Sequence, residues 1–174
     1  MVLEPIRRNG VRARKATWYF VLGSAGMRDA AIGSVAFFGI RRISEVLALR
    51  REDVRSGEDS VAIWVARQKN DPDGVAQWCW VPRHIGELGP SCGSMGLRLG
   101  FPVPNCSHAQ PLFAATNSNE PPHVISGDSW RKAVTGHFQD SSVSTHSFRR
   151  GGAAWYIHVV GVEEAVVQAQ GGWA

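Results

Sequence analysis

Two valine- and tryptophan-rich segments, SVAIWVARQ (60–68) and VAQWCWVPR (75–83), most narrow what this chain can fold into. Partial period-2 alternation marks each as a strand with one buried face. Between them lies KNDPDG, dense in turn formers, so the pair reads as an antiparallel β-hairpin. The flanking sequence is helical. MRDAAIGSVAFF sets Ala31, Ile32, Val35, Ala36 and Phe38 near helical spacing, with Gly39 as a C′ stop. RRISEVLALRREDV follows as a short amphipathic helix with Ile43, Val46, Leu47 and Val54 on its apolar side. Residues 86–125 are mostly loop with one short helix, and SGDSWRKAVTGHF reads as a helix capped by Ser126 or Asp128. Residues 147–159 form a helix ending at Gly161, and VEEAVVQAQ another ending at Gly171 and Gly172. The fold class is mainly α with one small antiparallel β-sheet (α+β).

At 174 residues, 44% hydrophobic and 20% charged, the chain can bury one domain's core and is not disordered. The net charge of +4 is unevenly spread. Residues 1–55 hold 11 Lys and Arg against 5 Asp and Glu, a net of +6, which leaves −2 for the rest. A basic first third suits a face that binds a polyanion, although ordinary surface charge explains it equally well. Cys79, Cys92 and Cys106 are odd in number and lack C-x-x-C spacing, which argues against a disulfide framework or zinc site and for a reducing compartment. Cys106 and His108 lie close together without two further ligands at metal spacing. No run of 18 apolar residues exists to span a membrane. RRNGVRARK followed by ATWYFVLGSAG has the outline of a leader, but its apolar part contains Trp18 and Tyr19 and runs into the helix. Residues 1–24 are read as a basic segment or linker, ahead of residues 25–174, which carry the motifs that follow.

The chemistry concentrates in STHSFRRGGAAWY, residues 144–156. His146 and Arg149 are three residues apart, on one face of a helix start, where the positive end of the helix dipole helps both grip one anion. Alone, the same residues would be a helix cap and solvated charges. Three more pieces stand in order with them: G-x-R-R-x-S-E from Gly39 to Glu45, Lys69 at the hairpin turn, and Trp173 after a glycine-rich helix end. The ordered set resembles the catalytic domain of the tyrosine recombinases, or phage-type integrases. KNDPDG and HSFRRGGA look most like the eukaryotic mobile-element branch, the Crypton- and DIRS-type recombinases.

That resemblance implies roles. Arg42, three residues before Glu45, and Arg149 would clamp the non-bridging oxygens of a scissile phosphate, a task suited to a planar fork that stays charged. Glu45 would be a supporting residue. Lys69 would protonate the departing 5′ oxygen, His146 would bond the phosphate or assist proton transfer, and Trp173 would donate its indole N–H. Arg41 and Arg150 would contact the DNA backbone. The implied reaction runs through a 3′-phosphotyrosyl intermediate that conserves bond energy, so neither cofactor nor metal is implied. The implied partners are double-stranded DNA and further copies of the chain, in the nucleus of a eukaryote or otherwise the cytoplasm.

One member of the pattern is missing. The family's tyrosine follows the tryptophan position, yet the sequence ends at Ala174, and Tyr19 and Tyr156 fall elsewhere in the order. Tyr156 is read as core or interface. The chain is thus expected to be a catalytic domain truncated at its C-terminal side, its tyrosine supplied by a longer chain or a partner. The alternative is a non-catalytic DNA-binding remnant of a mobile-element recombinase; an unrelated helical interaction protein is a third reading.

Overall fold

The computed structural model describes residues 7–8, 11–12, 24–66, 76–82, 111–115, 123–138 and 143–173. The hairpin is there. Strands β4 (Ser60–Val65) and β5 (Gln77–Pro82) pair antiparallel, with Ile63 opposite Cys79 and Trp64 opposite Trp78. Alternation sends Val61, Ile63, Val65, Cys79 and Val81 into the core, each at most 4% exposed, and turns the indoles of Trp64, Trp78 and Trp80 to the other face. A third strand, β3 (Val54–Ser56), pairs along the free edge of β4. Val54, expected in a helix, therefore lies in the sheet. The helix before it stops early, and the open edge of β4 supplies ladder partners that a charged helical tail lacks. Two-residue ladders also join β1 (Arg7–Arg8) to β2 (Val11–Arg12) and β6 (Ala114–Ala115) to β7 (His123–Val124).

Helix α1 (Ser24–Phe38) is the central element and touches β5 and the helices α2 (Ile43–Leu47), α3 (Gly127–Phe138) and α4 (Thr145–Trp155). Ala31, Ile32, Val35 and Ala36 are fully buried on it and sit among Val61, Ile63, Phe113, Trp130 and Phe148. Ser126 caps α3 as expected, its Oγ accepting the Ser129 N–H at 3.1 Å. Phe37, Phe38 and Trp155 make an aromatic cluster where α1 and α4 meet, with edge-on contacts at 5.0 and 5.6 Å. Gly152 lies at that crossing, where the α4 backbone meets the Phe37 carbonyl. Past Trp155 the helix widens into one π turn (Tyr156–Val160) and ends at Gly161, whose φ of 81° reverses the chain. Helix α5 (Glu164–Gly171) completes the described chain and ends at Gly172 with φ 66°.

The end of α1 departs from expectation by one residue. Gly39 does not take the left-handed conformation; Ile40 does, with φ 54°. The Arg41 N–H bonds to the Ala36 carbonyl at 3.0 Å and the Ile40 N–H to Phe37 at 3.3 Å, so the turn closes in the usual helix-ending pattern. A β-branched residue in this region costs about 1–3 kcal/mol. Burial of the Ile40 side chain, only 1% exposed, returns a similar amount, about 1.5–3 kcal/mol. Glycine is needed at 39 for room, since a Cβ there would lie 2.6 Å from the Val35 carbonyl oxygen. The strained turn delivers Arg41 and Arg42 to the centre of the molecule.

Candidate functional site

Arg41 and Arg42 leave the turn in opposite senses. Arg42 precedes α2 with extended backbone (φ −69°, ψ 145°). Its guanidinium donates to Glu45 Oε1 at 2.9 Å while its own N–H donates to Glu45 Oε2 at 3.0 Å. Glu45 thus caps the helix and pins Arg42 with one carboxylate. The pair is largely shielded, with 14% and 7% of the two side chains exposed. Arg41, expected on the DNA-facing surface, is instead buried at 1% exposure, and its Nη2 donates to the Gln170 carbonyl at 2.7 Å. Its position next to Arg42 in sequence gave no sign of this, because the acceptor lies 129 residues away.

Arg149, in the second turn of α4, is also buried, and its Nη2 donates to the Gly171 carbonyl at 2.7 Å. Its guanidinium carbon lies 4.6 Å from the centre of the Trp173 ring, a cation–π stack. The αL turn at Gly172 folds Trp173 back so closely that a Cβ on Gly171 would meet the indole at 2.6 Å. Trp173, expected to offer its N–H to a phosphate, is therefore also the platform that orients Arg149. Two residues that sequence reasoning missed complete this end of α5. Gln77 Nε2 donates to the Ala169 and Gln170 carbonyls at 3.2 and 3.3 Å, and Gln170 Nε2 returns a bond to the Trp80 carbonyl at 3.1 Å. A glutamine in a strand otherwise rich in tryptophan and valine was the available signal.

The charge balance of this region is lopsided. Burial, and then the positive charge of Arg42, push the Arg149 guanidinium down to about 10; Glu45 opposes this and Arg41 adds to it. It remains a cation at neutral pH. Nε and Nη1 of Arg41 and Nε of Arg149 are buried with no hydrogen-bond partner among the described residues. Buried donors left unmade are costly, and of the guanidinium groups of Arg41, Arg42 and Arg149 only that of Arg42 is paired, among the described residues, with a carboxylate, that of Glu45. Cys79, fully buried nearby, has its thiol pushed up by burial, with Arg41 drawing it back. It is packing, not a poised nucleophile.

His146 sits exposed in the first turn of α4, one turn before Arg149, where the Ser144 N–H donates to Ser147 Oγ at 3.0 Å. Arg150 is exposed beside it. The structure thus gathers Arg42, Glu45, Arg149 and Trp173, and sets His146 on the helix that carries Arg149. Lys69 lies outside the described residues, as does Tyr19. Among the described residues no cluster of His, Cys, Asp and Glu could hold a metal ion, and no helix is long and apolar enough to cross a membrane.

Tyr156 is held as structure. Its hydroxyl donates to the Phe38 carbonyl at 3.1 Å, and burial, followed by Cys79, pushes its pKa up to about 12. The fold therefore favours the neutral phenol, and this contribution disappears as pH rises from about 10, the unfolded value, through about 12. Tyr156→Phe should cost about 1 kcal/mol at neutral pH. It should also remove that part of the alkaline loss of stability, as read from urea unfolding at pH 9 and pH 11.

No protein-family model and no curated protein matches the sequence. Solved structures do. An FLP recombinase–Holliday junction complex superposes with TM-score 0.58 over 87% of this chain, at 12% identity. A Flpe–Holliday junction complex gives 0.59 over 90% at 11% identity. The XerH site-specific recombinase, bound to its difH substrate in a pre-cleavage complex, gives 0.58 over 87% at 16% identity. The fold is that of the tyrosine recombinases. The chain spans about two fifths of the length of these recombinases, 38% to 41%. Within the recombinase fold the small sheet and the helical body are those expected from the sequence, and the arginines at 42 and 149 reach one place from opposite ends of the chain.

Proposed function

We propose that the chain binds duplex DNA at one phosphodiester and activates that bond for transfer to a tyrosine, the strand exchange of a site-specific recombinase. The supporting observation is the buried cluster of Arg41, Arg42 and Arg149 against the single carboxylate of Glu45, with Arg149 pushed down to about 10 by burial and by Arg42. A phosphate held by Arg42 and Arg149 relieves the repulsion between them. Charge grows on the non-bridging oxygens toward the transition state, so the same donors stabilise it more than the substrate. In this reading Arg42 and Arg149 form the clamp, His146 bonds the phosphate from the start of α4, and Trp173 fixes Arg149. Lys69 protonates the leaving 5′ oxygen.

The nucleophile is not Tyr156, whose proton is held by burial and by the Phe38 carbonyl. In this reading the attacking tyrosine is a residue other than Tyr156. The similar solved structures are complexes with a Holliday junction and with a difH substrate, which supports DNA as the partner. Val159, Val160 and Val166 are exposed apolar side chains, and in this reading further copies of the chain share the same DNA. The engaged state of Tyr156 also favours a second reading, DNA binding without chemistry. A nicked suicide duplex separates the two, because a covalent protein–DNA adduct with a C-terminally extended chain supports only the first.

Binding itself is tested by titrating duplex DNA at several salt concentrations. Affinity should fall linearly on a log–log plot, and Arg42→Ala should weaken it about tenfold and flatten the slope by about one. Affinity indifferent to salt would remove the DNA reading.

A further inference from the structure

The turn after α1 presents two adjacent arginines, and extended backbone sends consecutive side chains to opposite sides. Only one of the pair can face a bound phosphate. Arg42 stays partly exposed beside Glu45, whereas Arg41 enters the interior at 1% exposure. Arg41 meets there the carbonyl end of α5, the negative end of that helix's dipole, where the last carbonyls lack partners of their own. The acceptors are shared out in sequence. Ala169 takes a bond from Gln77, Gln170 takes bonds from Gln77 and Arg41, and Gly171 takes one from Arg149. Immediately beyond, the N–H groups of Gly172 and Trp173 bond to Ala169 and Gln168 at 3.1 and 3.0 Å, which sets the indole under the Arg149 guanidinium.

We propose that Arg41 is a positioning residue: from inside the protein it fixes the carbonyl end of α5, and through it Trp173 and Arg149, without touching DNA. Gln77 is its weaker companion, donating from β5 to the same carbonyls. The strained Ile40 supports this, since its left-handed φ is what turns the following residue inward. A surface contact to DNA would not require that strain.

The experiment compares the wild-type chain with Arg41→Met, Arg41→Lys and Gln77→Leu in two measurements. The first is amide hydrogen exchange. Arg41→Met should speed exchange at Gly172 and Trp173 at least tenfold while Val61 and Val81, inside the sheet, keep their protection. Arg41→Lys, which can still donate to Gln170, should recover much of the loss. Gln77→Leu should give a smaller, few-fold increase, and it tests the same carbonyls if Arg41→Met fails to fold. Unchanged exchange at Gly172 and Trp173 in all three variants would overturn the proposal.

The second measurement rests on the DNA reading and uses the salt dependence of duplex binding. Arg41→Met should weaken binding several-fold with an unchanged slope, because no phosphate contact is lost. A slope flattened by about one would mean that Arg41 touches phosphate, and would overturn the proposal. Should the wild-type chain not bind DNA at all, the DNA reading fails, and the exchange measurement still decides the role of Arg41.

Discussion

Gly152→Ala should destabilise the protein by ~2–4 kcal/mol and lower its melting temperature by on the order of 10 °C. Two effects compete at this position. Alanine is the better helix former by about 1 kcal/mol, so propensity alone favours the substitution inside α4. Against it, a Cβ at 152 would run into the Phe37 carbonyl oxygen and lie 2.8 Å from its carbon. Both are backbone atoms of α1 and cannot rotate away, so the helices must separate and the cluster of Phe37, Phe38 and Trp155 must loosen. Overpacking wins. Two other glycines calibrate the result. A Cβ on Gly136 in α3 would meet nothing within 4 Å among the described residues, so Gly136→Ala should stabilise by up to about 1 kcal/mol. Among the described residues, a Cβ on Gly151 would meet only the Phe37 ring, at 3.2 Å, a side chain that can yield, so Gly151→Ala should be near neutral. Thermal unfolding of the three variants checks the order. Because Phe37 stands just ahead of the turn that carries Arg42, Gly152→Ala should, under the proposed function, also weaken duplex DNA binding by drawing Arg149 away from Arg42.

The sequence showed most clearly what local patterns encode. Alternation in 60–65 and 77–82 placed the hairpin and its buried face, and helical spacing found α1, α3 and α4. Ordered motifs singled out Arg42, Glu45, Arg149 and Trp173, which the fold then gathers. What escaped notice depends on partners distant in the chain. Strand β3 exists because Val54 finds Ile63, and nothing in a charged stretch of residues announces that edge. Ile40 in a left-handed conformation contradicts its own propensity, and only the surrounding burial permits it. Arg41 looked like surface charge because its partner is a backbone carbonyl at 170, which carries no sequence signature. The π turn at Tyr156–Val160 likewise follows no residue pattern that we recognise.

If the chain binds duplex DNA as proposed, Arg149→Met should abolish tight binding while leaving the fold nearly as stable as before. Met approximates the volume of the arginine stem, so the gap is small and the change isolates the charge. Loss of the guanidinium removes the bond to Gly171 and the stack on Trp173. It also removes a buried cation that Arg42 and Arg41 repel and whose Nε has no partner among the described residues. Replacing such a charge with an apolar side chain is often neutral or stabilising, and the two contributions should cancel to within about 1 kcal/mol. Binding has no such compensation. If Arg149 supplies half of the clamp, Kd should rise by on the order of 100-fold at moderate salt, and the salt slope should flatten by about one. Arg149→Lys should keep the slope but recover only part of the affinity, since a point charge cannot engage two oxygens at once. The pH dependence supplies an independent sign. Arg149 is lowered in the fold to about 10, so its charge opposes folding in full below that pH, and the penalty lifts gradually as pH rises from about 10 toward the higher value of a free guanidinium. Relative to wild type, Arg149→Met should therefore gain most at neutral pH and lose part of that advantage in alkali, as urea unfolding at pH 7 and pH 11 would read. A variant that unfolds at neutral pH, or one that binds DNA like wild type, would contradict the assignment of Arg149 as a strained, phosphate-directed charge.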